Sequence, residues 1–157
     1  MALKIGNKAP AFSLENQDGA KMKLADFAGK WLVLYFYPKD NTSGCTTEAV
    51  DFTASLKKFE KLGATVVGIS PDSVKSHLNF CTKHNLGVTL LSDPDKVMLA
   101  KYGVWQEKSM YGKKYMGVVR TTVLVGPDGR VTDIWEKVKV KGHVEAVLNT
   151  LTERQAK

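Results

Sequence analysis

Two uninterrupted apolar runs dominate the hydrophobic pattern in the first half of the chain. Residues 31–37 are Trp-Leu-Val-Leu-Tyr-Phe-Tyr, and residues 65–70 are Thr-Val-Val-Gly-Ile-Ser. Strands that are buried on both faces of a sheet lack the usual alternation of apolar and polar residues, so both runs predict buried parallel strands. A shorter run at 89–91 predicts a third strand.

Apolar residues recur at every third or fourth position in other segments, which is the spacing of an amphipathic helix. The first predicted helix follows the first strand and is closed by Gly63, a residue type that favours the turn after a helix. A second helix is predicted from Asp72 or Ser73 to about Asn85, and a short third one over 96–102. The apolar stripes of the first and last predicted helices consist of Cys45, Ala49, Phe52, Leu56 and Phe59, and of Val144, Val147, Leu148 and Leu151.

Turn-forming residues predict two hairpins. Asp18-Gly19 separates the short segments 11–14 and 22–24, and Pro127-Asp128-Gly129 separates 121–125 from 130–135. The basic and aromatic segment 103–119 is predicted to be a long loop, and long loops often carry function. This order of elements predicts an α/β fold of the thioredoxin type. Its mixed central sheet is flanked by helices and preceded by an N-terminal β-hairpin, in one domain over residues 1–157.

The composition is that of a globular protein. Of the 157 residues, 43% are hydrophobic and 25% are charged, which excludes disordered, collagenous and coiled-coil chains. The longest apolar run is far shorter than the about 20 residues that cross a bilayer. Residues 1–10 lack the apolar core of a secretory signal, so we expect a cytoplasmic protein with no membrane partner.

The net charge and the cysteine content exclude fewer classes of function than the composition does. The formal net charge of +7 favours anionic or acidic partners during encounter and says nothing about the fold. Two cysteines in a chain with no secretory signal do not indicate a disulfide scaffold. They are candidates for catalysis, redox sensing or simple burial.

The segment that follows the first buried strand carries the strongest chemical signal. The strand ends at Pro38, a polar loop follows, and Cys45 falls in the first turn of the next predicted helix. Unpaired backbone N–H groups and the helix dipole favour an anion there, so a nucleophilic thiolate is expected near neutral pH. Thr42 is predicted near the N-cap, with its hydroxyl within reach of the first turn. Because Cys45 leads the apolar stripe, its sulfur is expected to face a pocket floor rather than open water.

These residues resemble a known active-site signature. Pro38, Thr42 and Cys45 have the spacing Pro-x-x-x-Thr-x-x-Cys of the peroxiredoxins, and residues 37–48 are similar to the Q-type (bacterioferritin-comigratory) branch. Ser43 departs from the proline that many members carry. The resemblance extends over almost the whole chain, through Gly6-x-x-Ala9-Pro10-x-Phe12, Asp93-Pro94 and Arg120-Thr121-Thr122-Val123.

The resemblance implies a cysteine peroxidase with a thioredoxin-like fold and no metal, haem or other cofactor. Cys45 would be the peroxidatic cysteine, which attacks the O–O bond and becomes a sulfenic acid. Thr42 would hydrogen-bond the peroxide, and Arg120 would hold the sulfur as a thiolate and stabilise the transition state.

Three further residues would support this chemistry. Pro38 would shield the sulfur from water, and Gly44 would add a backbone N–H donor to that of Cys45. Glu48, one turn after the cysteine, would orient the arginine.

The role of the second cysteine depends on its position. Many Q-type members place a resolving cysteine five residues after the first, but Val50 stands there, and Cys81 follows 36 residues after Cys45. Members that resolve from the next helix imply a Cys45–Cys81 disulfide, reduced by a thioredoxin-like dithiol, in a monomer. Hydrogen peroxide and organic hydroperoxides would be the substrates. Forming that disulfide would require both helix turns to loosen.

Other interpretations remain open for the second cysteine and its helix. Val74, Leu78 and Cys81 share one helical face, so Cys81 could be an inert core residue of a one-cysteine peroxidase or a non-catalytic redox sensor. His77, Cys81 and His84 superficially resemble a metal cluster, although one helix seldom supplies a whole site. His77 could instead tune Cys81, or be a solvated surface residue.

Two alternative functions are weaker. A thioredoxin-like dithiol reductase needs Cys-x-x-Cys, and Thr46-Thr47-Glu48 follows the first cysteine. A nucleic-acid surface could use the aromatic and basic side chains of 103–119, but a solvated loop is the commoner explanation, so no nucleic-acid partner is expected. Trp31 and Trp135 lie in strand patterns and are predicted to be core residues.

Overall fold

A central seven-stranded sheet organises the structure, a computed structural model that describes residues 3–156. Met1, Ala2 and Lys157 of the predicted domain lie outside the described residues. The strands are β1 (Ser13–Asn16), β2 (Lys21–Lys23), β3 (Trp31–Phe36), β4 (Ala64–Ser70), β5 (Thr89–Ser92), β6 (Trp105–Met110), β7 (Lys113–Val118), β8 (Thr121–Val125) and β9 (Val131–Trp135). The helices are α1 (Ser43–Lys61), α2 (Val74–His84), α3 (Val97–Lys101) and α4 (His143–Gln155), with a 3-10 turn at Leu24–Phe27.

The sheet is mixed, with the order β2-β1-β5-β4-β3-β8-β9. Its centre is parallel, since β3 pairs with β4 and β4 with β5 in the same direction, as the two long apolar runs predict. Strand β8 then runs antiparallel to β3, and β9 completes the predicted hairpin with β8. The N-terminal hairpin of β1 and β2 is also present and joins the sheet through β5. The predicted thioredoxin-like α/β fold is confirmed.

Each face of the sheet covers its own core. Helices α1, α2 and α4 pack with alternate residues of the central strands on one face. Helix α3, the 3-10 turn and the N-terminal segment cover the other face. Helix α1 ends at Lys61, and Gly63 follows with the left-handed φ of 69° that the sequence predicts for the turn after a helix. Trp31 and Trp135 are half-buried at the margin of the core, so the prediction that they are core residues is only partly right.

The prediction of a loop over 103–119 is wrong. Strands β6 and β7 form a separate antiparallel two-stranded sheet there. Its turn consists of Tyr111 and Gly112, with φ of 53° and 77°, which is the backbone of a tight two-residue hairpin turn. Most side chains of both strands are exposed, so the apolar–polar alternation by which a half-buried strand is recognised is missing.

No helix within residues 3–156 is long and apolar enough to cross a membrane.

Gly68 gives a test of the packing at the centre of the sheet. A Cβ added there would come within 2.6 Å of Tyr35 Cζ and 2.8 Å of Leu90 Cδ2. We expect Gly68→Ala to lower the free energy of unfolding by about 1–3 kcal/mol, because the overpacked core must shift. Urea denaturation measures the change. The control is Thr65→Val on the same strand, a near-isosteric change at a half-buried position, with an expected effect within about 0.5 kcal/mol. Equal stability of the Gly68 variant and the wild type would contradict this packing.

Candidate active site

The loop between β3 and α1 places Cys45 at the start of a helix. Asn41 takes a left-handed φ of 60° and turns the chain, and Thr42 is the extended N-cap residue before Ser43 opens α1. Cys45 is the third residue of the helix and only 1% exposed. The sulfur therefore lies in the interior, at a helix end whose unpaired N–H groups and dipole favour negative charge.

Arg120 reaches this sulfur from the sheet. It directly precedes β8, whose first residue Thr121 pairs with Phe36 at the end of β3. This pairing places the arginine beside the loop that leads to α1. Its Nη2 donates to Cys45 Sγ at 3.3 Å. The backbone is held as well, because Val138 N–H donates to the Arg120 carbonyl at 3.0 Å.

Glu48 binds the other arm of the same guanidinium. Arg120 Nη1 donates to Glu48 Oε1 at 2.6 Å, and the glutamate is fully buried one turn below Cys45. Its second oxygen, Oε2, has no hydrogen-bond partner among residues 3–156. Burial raises the pKa of Glu48 to about 7, although the arginine opposes the shift. Burial lowers the pKa of Arg120, but the Glu48 carboxylate and the Cys45 sulfur outweigh it and raise the pKa above its ordinary value.

Gly44 leaves the space that the guanidinium occupies. A Cβ at this position would stand 3.2 Å from Arg120 Nη2, tighter than an ordinary contact. A side chain there would press on the nitrogen that donates to Cys45. The glycine predicted as a site residue therefore has a visible steric reason in addition to its backbone N–H.

Pro38 and Thr42 lie on the solvent side of the cysteine loop. Pro38 is half-buried and Thr42 is exposed. The prediction that the Thr42 hydroxyl reaches the first turn is wrong, because Oγ1 donates to the Lys39 carbonyl at 2.7 Å. The lone pairs of this hydroxyl stay available to accept a hydrogen bond from a ligand.

Cys81 lies on α2, and both cysteines are free thiols buried in the same core. Stacked and tilted aromatic rings also occupy this core; centroids are 5.6 Å apart for Tyr35–Tyr37 and 6.3 Å apart for Tyr37–Phe80. Burial raises the pKa of Cys81 to about 11, and the charges of Asp40 and Asp18 add to the shift. The structure thus keeps Cys81 as a protonated thiol, apart from the group around Cys45.

His77 is not a surface residue, so that interpretation is wrong. Its side chain is fully buried, with Nδ1 2.8 Å from Asp40 Oδ2 and Nε2 2.9 Å from the Leu91 carbonyl. The side chains close enough to share a metal ion with His77 are those of Asp40 and Asp72, not those of Cys81 and His84. Hydrogen bonds within the chain already satisfy these oxygens, so the group forms a hydrogen-bond network.

Asp40 is the site residue that sequence reasoning missed. Its carboxylate accepts hydrogen bonds from Tyr37 Oη at 2.7 Å, Ser76 Oγ at 2.7 Å and His77 Nδ1. Burial alone would raise the pKa of this carboxyl, but the hydrogen bond and charge of His77 outweigh burial and hold it below the ordinary value. The one available signal was an acidic residue inside the cysteine loop, and nothing in the spacing paired it with a histidine 37 residues away.

A second buried histidine lies behind the arginine. His143 Nε2 is 2.7 Å from the hydroxyl of Thr122, the second residue after Arg120. Burial lowers the pKa of His143 to about 4, and the charge of Arg120 adds to the shift. The ring is therefore neutral at physiological pH and places no second positive charge beside the guanidinium.

Together these contacts suit nucleophilic attack by sulfur. A cysteine at a helix N-terminus meets a half-buried guanidinium held by a carboxylate. Such a cation stabilises negative charge on sulfur and on a leaving oxygen alike.

Comparison with known proteins agrees with this chemistry. The AhpC/TSA family model matches residues 5–134. Peroxiredoxin Bcp of Bacillus subtilis is 46% identical over 157 residues, which is 100% of both chains. Peroxiredoxin Bcp of Xanthomonas campestris pv. campestris is 51% identical over 133 residues, 85% of this chain and 83% of the relative. A solved structure of Xanthomonas campestris Peroxiredoxin Q superposes with a TM-score of 0.87 at 48% identity, over 90% of each chain.

The family match spans most of the chain, and the two relatives are 46% and 51% identical to it over 100% and 83% of their own lengths. The chain therefore belongs to the AhpC/TSA family and, within it, to the Q-type or Bcp peroxiredoxins, which are thiol peroxidases.

Proposed function

We propose that the chain reduces hydrogen peroxide and organic hydroperoxides with Cys45 as the attacking thiolate, Cys81 as the resolving thiol and a thioredoxin-like dithiol as the reductant. The observation that carries the first step is the 3.3 Å contact from Arg120 Nη2 to Cys45 Sγ, with Glu48 holding the other arm. The reduction of alkyl peroxides is named for the Xanthomonas campestris bacterioferritin comigratory protein, a structural neighbour at 47% identity.

The first step transfers one oxygen atom to sulfur. The Cys45 thiolate attacks the terminal oxygen of the hydroperoxide, an S–O bond forms and the O–O bond breaks. The sulfur is oxidised to sulfenic acid, and the remaining alkoxide or hydroxide takes a proton and leaves as an alcohol or water. Charge moves from sulfur to the leaving oxygen, and the fixed guanidinium of Arg120 lies close enough to stabilise both ends of that shift.

The solvent-side residues bind the substrate in this proposal. Thr42 already donates to the Lys39 carbonyl, so its oxygen accepts the O–H of the peroxide and orients it. The N–H groups of Gly44 and Cys45, near the start of α1, lack partners within the helix and donate to the peroxide oxygens. Half-buried Pro38 keeps water from the sulfur.

The second step needs a conformational change. The Cys81 sulfur attacks the sulfur of the Cys45 sulfenic acid, an S–S bond forms, and the S–O bond breaks with release of water. In the closed structure Cys81 is buried and its pKa is about 11, so it is a poor nucleophile. Loosening of α2 exposes the thiol to water and lets it ionise. A thioredoxin-like dithiol then supplies two electrons, becomes a disulfide itself and restores both thiols.

Two solved relatives support the assignment of Cys81. They are serine variants of Xanthomonas campestris Peroxiredoxin Q at two cysteines whose separation in sequence equals that of Cys45 and Cys81. Because one chain holds both cysteines, a monomer suffices for the full cycle, and we propose a monomer.

A one-cysteine peroxidase is the second candidate. It is favoured by the burial and the raised pKa of Cys81, both of which describe an inert core thiol equally well. In that case an external thiol would reduce the sulfenic acid.

Cys45→Ser tests the first step. We expect this variant to lose hydroperoxide consumption altogether, since serine does not replace the thiolate as the oxygen acceptor. Single-turnover consumption of hydrogen peroxide by the reduced protein is the measurement. Cys81→Ser is the matched control and should consume one equivalent as the wild type does. Full activity in the Cys45 variant would refute the assignment.

Arg120→Ala tests the cation. We expect the single-turnover rate to fall about 100-fold, the usual cost of removing one group that stabilises the developing charge. The control is Arg130→Ala, an exposed arginine whose side chain binds the Gly6 carbonyl. Equal rates for the two variants would remove Arg120 from the mechanism.

Peptide mapping after one equivalent of hydrogen peroxide separates the two candidates. We expect a Cys45–Cys81 cross-link in the wild type, and in Cys81→Ser a stable sulfenic acid that a thioredoxin-like dithiol does not recycle. A wild-type protein with oxygen on Cys45 and an unmodified Cys81 would establish the one-cysteine enzyme instead.

A further inference from the structure

One buried carboxylate joins the two segments that carry the cysteines. Asp40 lies in the loop five residues before Cys45, and its partners Ser76 and His77 lie on α2, five and four residues before Cys81. Oδ2 of Asp40 accepts from Ser76 Oγ at 2.7 Å and from His77 Nδ1 at 2.8 Å.

The loop backbone is tied to the same region. Asp40 N–H donates to Asp72 Oδ2 at 2.8 Å, and Ser70 Oγ donates to the same oxygen at 2.7 Å. Asp72 lies between β4 and α2, so the loop is fastened to the start of the second helix by backbone and side chain together.

His77 is held from both sides of its ring. Its Nδ1 is 2.8 Å from Asp40 Oδ2, and its Nε2 is 2.9 Å from the Leu91 carbonyl. The side chains of His77 and Asp40 are 0% and 2% exposed, so separating them inside the protein leaves buried polar groups without partners.

We propose that Asp40, Ser76 and His77 form a latch that holds the closed structure. The latch thereby sets the fraction of Cys45 sulfenic acid that becomes disulfide rather than sulfinic acid. The inference rests on the proposed two-cysteine function. These are positioning residues: none of them contacts Cys45 within the network described above, and they act on the reaction through the two segments they join.

The latch stands between two competing fates of the sulfenic acid. In the open form Cys81 attacks the Cys45 sulfur and releases water. In the closed form a second hydrogen peroxide molecule delivers one oxygen to the sulfenic acid, which becomes sulfinic acid as water leaves. A tighter latch slows disulfide formation and leaves the oxidation to sulfinic acid unchanged. It therefore raises the sensitivity of the protein to excess peroxide.

Ser76→Ala is the first test variant, because it removes one donor at a half-buried position and leaves the contact between Asp40 and His77. Asp40→Asn is the second. The matched control is Ser73→Ala, which removes the N-cap hydrogen bond of α2, from Ser76 N–H to Ser73 Oγ at 3.1 Å, and leaves every donor to Asp40 in place. It weakens the same helix without touching the loop.

Two readouts separate the latch from the proposed function. The first is the rate of alkylation of Cys81 by iodoacetamide in a Cys45→Ser background, which needs no peroxide chemistry. The second, with both cysteines present, is the hydrogen peroxide concentration at which half of Cys45 becomes sulfinic rather than disulfide, measured by mass spectrometry.

We expect Ser76→Ala to raise the alkylation rate of Cys81 and the half-sulfinic peroxide concentration by about three- to tenfold each. Loss of one hydrogen bond of ordinary net strength gives a change of this size. The single-turnover rate of peroxide attack should stay equal or fall, because opening depopulates the closed site. A variant that only destabilises the fold would slow both peroxide attack and disulfide formation. Ser73→Ala should raise both readouts by a smaller factor than Ser76→Ala, because it loosens the start of α2 and leaves the loop held to the helix.

Values for Ser76→Ala and Asp40→Asn that match those of Ser73→Ala would overturn the latch. Faster alkylation in the latch variants, together with no disulfide in any protein, would place the failure in the proposed two-cysteine function and retain the latch on Cys81.

Discussion

The site depends on one half-buried cation with two neighbours. The guanidinium of Arg120 donates to Cys45 Sγ with one nitrogen and to Glu48 with another, and both acceptors lie on the first two turns of the same helix. A planar fork with fixed geometry suits this double contact, which a lysine would not reproduce. The space left at Gly44, the burial of Glu48 and the neutral His143 behind the strand all help to fit this half-buried positive charge beside the sulfur.

The two thiols are kept in opposite chemical situations by the same fold. Cys45 lies where a helix begins and a cation donates to it, which favours the anion. Cys81 lies among apolar and aromatic side chains, and its burial and the charges of Asp40 and Asp18 favour the neutral thiol. The disulfide step proposed above therefore requires a rearrangement. The hydrogen bonds of Asp40 join the loop before Cys45 to α2, the helix that carries Cys81.

Much of the central architecture is visible in the sequence because burial leaves a pattern. The uninterrupted runs at 31–37 and 65–70 became the parallel centre of the sheet, and the stripe from Cys45 to Phe59 became the buried face of α1. Hairpin β6–β7 left no such pattern, because most of its side chains are exposed. Its turn also has Tyr111 at the position where asparagine or aspartate usually signals a tight turn. The proximity of Arg120 to Cys45 was implied by the family resemblance and not by spacing.

Other contacts at the site were beyond prediction for a different physical reason. The Asp40–His77 pair joins residues that are far apart in sequence, and only the packing of α2 beside the cysteine loop brings them together. The direction of the Thr42 hydroxyl depends on the local path of the loop, which turns at the left-handed Asn41 and offers it the Lys39 carbonyl. Single side-chain orientations of this kind are set by three-dimensional context that composition and periodicity do not encode.

The separate hairpin gives the molecule a place that can be engineered. Strands β6 and β7 pair with each other outside the seven-stranded sheet, and their base is closed by the hydrogen bond from Val119 N–H to the Val104 carbonyl. The turn residue Tyr111 is 98% exposed. An epitope, a fluorophore or a surface tether grafted at this tip would project into solvent without disturbing the sheet that carries Arg120. The hairpin is thus a ready attachment point for building this enzyme into sensors or onto supports.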